Sequence, residues 1–118
     1  MKKKRIFLIY KGRKIFLDAF ECSGIEMGRG LMFKSRERAS ALLFDFKKST
    51  NIALTSLFVF FSFVVIWLDG KSKVIEIRKI RPFVSVIRAK KPFNKVLEIP
   101  INKRYYKIIK LLCSKIHS

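Results

Sequence analysis

From Ile52 to Leu68 the chain carries no charged residue, although 27 of its 118 residues are Lys or Arg. Such a run can cross a bilayer as a helix or form strands at the centre of a folded domain. As a helix it would reach roughly 26 Å at 1.5 Å per residue, short of the about 30 Å of a hydrocarbon core. Its composition favours strands, because Phe58 to Phe61, Phe63, Val64, Val65, Ile66 and Trp67 are aromatic or β-branched and suit a pleated surface. Thr55, Ser56 and Ser62 interrupt the run and are expected to mark a break between two strands. The stretch "VVIWLDGKSKVIEIR" that follows is a hairpin pattern, with Asp69 and Gly70 in the turn. On the return strand, Ile75 and Ile77 are expected to face inward while Glu76 and Arg78 face outward. Association with a membrane, through Ile52–Leu68 or through the C-terminal helix, stands as an alternative.

The remainder of the chain supports a mainly β domain. "RIFLIYKGRKIFLDAF" predicts an N-terminal hairpin over residues 5–20, with Gly12 free to take a positive φ in the turn. Gly24, Gly28 and Gly30 disfavour a long helix in the next segment, leaving room for a short helical turn near 24–31. "ALLFDF" is a strand candidate and "KKSTN" a polar turn, and "RPFVSVIRAKKPFNKVLEIP" supplies one or two strands bounded by Pro82, Pro92 and Pro100. After Pro100 the period changes. Tyr105, Ile108, Ile109, Leu112, Cys113 and Ile116 form one stripe, and Lys103, Arg104, Lys107, Lys110 and Lys115 lie largely opposite. This predicts a basic amphipathic helix near 102–115 with Asn102 as its N-cap. The expected architecture is a compact antiparallel β-sandwich or barrel-like single domain over residues 1–118.

Charge and residue chemistry narrow the function classes. A formal net charge of +19 points to polyanions such as nucleic acid or anionic headgroups, with Lys90, Lys91, Lys103, Arg104 and Lys107 as candidate contacts. The same surplus also fits a general compositional bias, since cations occur from Lys2 to Lys115. Cys22 and Cys113 lack metal-binding spacing and read as two buried thiols, with a disulfide conceivable only in an oxidising compartment. The single histidine, His117, sits next to the C-terminal residue, a poor place for a nucleophile's base. No P-loop or dinucleotide fingerprint occurs. No cofactor, metal site, catalytic residue or small-molecule substrate is expected. The apolar run at Ile6–Tyr10 is too short for an export signal, which makes the cytoplasm the expected location.

At "EMGRGLMFKS" the chain resembles a known family. Glu26, Gly30, Leu31, Met32, Phe33 and Lys34 are similar to the ExxxGLM[FY][RK] signature of the domain of unknown function 192 family. "LLFDF", the segment "LTSLFVFFSFVVIWLDGKSKVIEI", "IRPF" and "KVLEIP" resemble further elements of its archaeal-type members in the same order, over about residues 21–100. Trp67, Asp69, Pro82 and Glu98 fall on motif positions. The resemblance implies a mostly antiparallel β-sandwich or barrel-like fold with a short helix or two, and no specific activity. Where the family pattern has His, Pro and Asp, this chain has Thr55, Ser62 and Val64, so a polar site built on them would be weakened here. A non-catalytic binding or accessory module is therefore the leading expectation, with nucleic-acid backbone binding as the first alternative. An enzymatic role would require Asp45, Asp69 and Glu98 to meet in one cleft.

Overall fold

A computed structural model describes residues 2–22, 31 and 35–112. Six strands, β1 (Lys2–Tyr10), β2 (Arg13–Cys22), β3 (Leu42–Thr50), β4 (Phe63–Leu68), β5 (Val74–Ile80) and β6 (Phe93–Pro100), form one sheet in the order β1-β2-β3-β6-β4-β5. The sheet curls into a half-barrel, as expected of a mainly β, barrel-like chain. Every junction is antiparallel except β2–β3, where Phe20–Cys22 run parallel to Leu42–Phe44. A parallel neighbour requires the chain to return to the same end of the sheet between the two strands. The curl brings the outer strands close enough for the Ile9 N–H to donate to the Ser72 carbonyl at 2.8 Å.

The first hairpin follows from its turn. Tyr10 pairs with Arg13, so the loop is the two residues Lys11 and Gly12, with φ of 51° and 78°. Positive φ at both positions is the type I′ geometry whose twist matches the flanking strands. This register sets Phe7 opposite Phe16 and Leu8 opposite Ile15. The β4–β5 hairpin closes differently. The Asp69 carboxylate accepts the N–H groups of Lys71 (2.8 Å) and Lys73 (2.9 Å), and Ser72 takes the positive φ, at 68°.

Two apolar clusters lie on the two faces of the sheet. The inner one gathers Leu8, Leu17, Leu43, Val64, Ile66, Leu97 and Ile99. The outer one gathers Leu31, Leu42, Phe44, Phe63, Val65, Trp67, Val96 and Phe93 beneath the loops that hold Val59, Phe61 and Ile87. Strand β4 is buried on both faces, which explains why its sequence shows no alternation.

Several details depart from the sequence expectations. The uncharged run holds one strand, not two. Leu54 makes a single bridge to Ile87, and the chain turns at Leu57 and Phe58 before β4 begins. The cause is the buried Ser56, whose hydroxyl donates to the Arg81 carbonyl (2.9 Å) and accepts the Val84 N–H (2.8 Å), holding the segment against residues 81–84. "KKST" is not a turn but the end of β3, with a register shift between Asp45 and Thr50 and a left-handed Lys47 (φ 58°). Ile75 and Ile77 do not share a face. A shift between Trp67 and Leu68 leaves Ile75 as an extra residue, so Ile75 packs on the outer cluster and Ile77 on the inner one. Glu76 and Arg78 are half-buried over Trp67, not turned to water.

The C-terminal segment begins as expected. Asn102 accepts the Arg104 N–H, and its amide donates to the carbonyls of Arg36 (2.8 Å) and Ala39 (3.1 Å). One 3₁₀ turn, Lys103–Tyr105, leads into α1 (Tyr106–Leu112). Tyr105, Ile108, Ile109 and Leu112 pack on the inner cluster. Residues 113–115 of the expected helix, the thiol of Cys113 and the expected helical turn over 24–30 lie outside the described residues.

Candidate functional site

The motif positions of the sequence fall on the outer cluster and its rim. Leu31 and Trp67 are fully buried in it, while Pro82 lies in the turn after β5 and Asp69 in the β4–β5 turn. Glu26, Gly30, Met32 and Phe33 lie outside the described residues. Among the described residues Glu98 is the buried acid of this face, 6% exposed and flanked by Leu42 on β3 and Val65 on β4. No hydrogen bond or ion pair from a described residue reaches its carboxyl group, and burial alone pushes its pKa up to about 7. Two residues along the neighbouring strand, the Trp67 Nε1–H is buried without an acceptor among the described residues, and the Arg78 guanidinium lies 5.0 Å from the indole centroid. Asp45 does not join Glu98. It follows Phe44 on β3 and so takes the opposite face, where its carboxylate accepts the Lys47 N–H at 2.9 Å. Asp69 is occupied by its own turn.

The candidate polyanion contacts separate into two groups. Lys90 and Lys91 are exposed just before β6, where the Lys90 N–H donates to Glu76 at 2.8 Å. Lys103, Arg104 and Lys107 follow β6 at its other end, an eight-residue strand and thus roughly 26 Å away at about 3.3 Å per residue. Arg104 and Lys107 line a groove of about 500 Å³ together with Lys3, Phe16, Asp18, Ser40 and Tyr105. Part of the Arg104 guanidinium is committed to the carbonyls of Arg38 (3.0 Å) and Ala39 (2.7 Å), which fixes its charge at the groove wall.

The groove opens onto the outer face of the β1–β2 hairpin through Phe16. The one-residue alternation of the strands places Lys3, Arg5, Phe7, Lys14, Phe16 and Asp18 on this face. Phe16 is 50% exposed and Phe7 36%, with ring centroids 6.1 Å apart. The Arg5 guanidinium lies 5.8 Å from the Phe16 centroid and the Lys14 ammonium 4.8 Å from that of Phe7, both within cation–π range. Arg5 also approaches Asp18 at 3.7 Å, an exposed pair of small energetic weight. Exposed aromatic rings, long flexible cations over them and a basic groove alongside make a surface that can stack planar rings and neutralise phosphates.

A family model described as an uncharacterised ACR, DUF192, matches residues 22–105. The chain belongs to the DUF192 family. No curated protein sequence matches it. Among solved structures, this DUF192 domain is similar to a Sinorhizobium meliloti 1021 protein described as a candidate transcription regulator, with 22% identity, a TM-score of 0.75 and coverage of 93% of this chain and 85% of that one. It is also similar to a protein of unknown function from Novosphingobium aromaticivorans DSM 12444, with 16% identity, a TM-score of 0.69 and coverage of 90% and 78%. At these identities the shared property is the fold.

Sequence reasoning passed over Arg5, Phe7, Lys14 and Phe16 in this DUF192 domain. The signal was present in the hairpin's alternation. With Ile6, Leu8, Ile15 and Leu17 assigned to the core face, Phe7 and Phe16 must stand on the polar one, and a two-residue turn sets them opposite each other.

Proposed function

We propose that this domain is a non-catalytic binding module for single-stranded nucleic acid, held on the outer face of the N-terminal hairpin and in the adjoining groove. The observation that carries this reading is the Phe7–Phe16 pair, exposed and flanked by Arg5 and Lys14. Bases stack on exposed aromatic faces with little regard to sequence, and cations track the backbone. Lys3, Arg104 and Lys107 extend the cationic path along the groove, in a chain of net charge +19. The description of the Sinorhizobium protein belongs to that protein. What favours nucleic acid here is this chain's own surface.

The test is fluorescence anisotropy of a labelled single-stranded oligonucleotide over a salt series. If Lys3, Arg5, Lys14, Arg104 and Lys107 each neutralise a phosphate, log K should fall against log salt with a slope of about −3.5. Phe16→Ala should weaken binding by roughly tenfold or more at every salt concentration, because stacking contributes about 1–3 kcal/mol per base. Absence of binding at low salt would end the proposal. Binding untouched by Phe16→Ala would move it away from this face.

A further inference from the structure

A second exposed surface lies on the loops that cover the outer cluster, away from the hairpin pair. Residues 52–60 and 83–86 are tied into one unit. Leu54 and Ile87 exchange both backbone hydrogen bonds at 2.8 Å, the Ser56 N–H donates to the Val84 carbonyl (2.8 Å), and the Phe83 N–H donates to the Ser56 carbonyl (2.7 Å). Val59, Phe61 and Ile87 turn inward and are buried. Ile52, Leu57, Phe58, Phe60, Phe83 and Val86 turn outward, the most open being Phe60 at 57% and Phe83 at 61%. The rings of Phe60 and Phe83 meet across the two loops at 5.9 Å. Phe83 stands at a φ of 67°, a conformation that bulky residues rarely adopt and that tends to persist where a function keeps it.

Contiguous apolar surface of this kind marks a contact site, and its surroundings say what for. Neither residues 46–68 nor residues 77–97 contain an acid. Arg81 and Arg88 are exposed beside the patch and make no ion pair with a described residue, and Lys79 follows on β5. A second copy of a chain carrying +19 would meet like charge around the contact. The outward side chains are Phe, Leu, Ile and Val, which offer depth in a hydrocarbon layer but no hydrogen bonds to a particular partner. Glu37 lines the hollow beside Phe60 but is paired with Arg36 at 3.0 Å. The charge around these apolar side chains therefore stays positive, which suits the interface of an anionic bilayer. We propose that these paired loops dock the domain peripherally onto an anionic lipid surface, with Leu57, Phe58, Phe60 and Phe83 entering the acyl boundary and Arg81 and Arg88 contacting headgroup phosphates.

Vesicle flotation tests this with the intact chain and vesicles of phosphatidylcholine with or without phosphatidylglycerol. The wild type should float with the anionic vesicles and remain behind with the neutral ones. A Phe58→Ser, Phe60→Ser, Phe83→Ser variant should lose roughly tenfold or more of this partition, while its oligonucleotide binding stays at the wild-type level. Arg81→Gln with Arg88→Gln leaves the apolar surface in place and should abolish the preference for anionic over neutral vesicles, which keeps the proposal testable if the triple variant does not fold. Equal partition into both vesicle types, or flotation unaffected by both sets of substitutions, would overturn it. Failure to float with any vesicle would also overturn it. Neither result bears on the hairpin face, whose own test is binding of oligonucleotide in solution.

Discussion

Residues 52–62 and the strand Phe63–Leu68 come from a single uncharged run, yet one is a loop with much of its apolar surface in solvent and the other is buried on both faces. Charge does not separate them, since neither carries any, and the loop differs in composition chiefly by Thr55, Ser56 and Ser62. Neighbours do. β4 lies between β5 and β6 with an apolar cluster on each side. The loop has one covered face and is held by Ser56 through polar bonds to residues 81–84. The lesson is that an apolar run reports how much surface could be buried, while strand pairing decides how much is.

The comparison breaks first at Trp67. Trp67→Ala should cost about 3–5 kcal/mol in urea unfolding, a large fraction of a small domain's stability. A cost no greater than that of a loop phenylalanine would remove the distinction between the two regions. Glu98 gives the next effect, and its sign follows from burial. The ordinary value of this acid is 4.5 and its folded value about 7, so between those values the folded protein holds more protons than the unfolded chain. Stability therefore falls as pH rises through that window. The penalty is absent below about pH 4.5 and complete above about pH 7. Unfolding measured at both ends should show the advantage of Glu98→Gln over wild type growing by about 3 kcal/mol from pH 4 to pH 8, whereas a flat difference would mean that the carboxyl group is not desolvated.

Ser56→Ala sharpens the loop side of the comparison. It leaves the Val84 N–H and the Arg81 carbonyl without their side-chain partner and should cost about 1–3 kcal/mol. Backbone amide exchange should quicken in residues 54–60 and 83–87 before it does in β4. The smallest effect belongs to Phe58→Ser and Phe60→Ser, each expected at about 1 kcal/mol or less, because these side chains are already about half exposed and Phe60 gives up a ring contact with Phe83. A loss near that of Trp67→Ala would show the loop to be core.

Much of the sheet was legible in the sequence, because two-residue periodicity and turn chemistry are local. The Lys11–Gly12 hairpin, the Asp69 turn, the Asn102 cap and the amphipathic tail all follow from neighbouring residues. What could not be read depends on distant ones. The parallel β2–β3 junction, the bulge that separates Ile75 from Ile77 and the reach of Ser56 to Arg81 and Val84 are each set by tertiary pairing. The candidate cations illustrate the same limit. Arg104 and Lys107 gain a groove because Lys3 and Phe16 lie across from them, while Lys90 and Lys91, no less basic in sequence, are left at the far end of β6.

The central claim is that binding belongs to one face and not to positive charge in general. Amide and side-chain NMR shifts on titration with an unlabelled single-stranded oligonucleotide test it most directly. Shifts concentrated at Lys3, Arg5, Phe7, Lys14, Phe16, Arg104 and Lys107, with Phe58, Phe60 and Phe83 unmoved, are the predicted result. Small shifts spread over the lysines of the whole surface, or centred on Lys90 and Lys91, would contradict it.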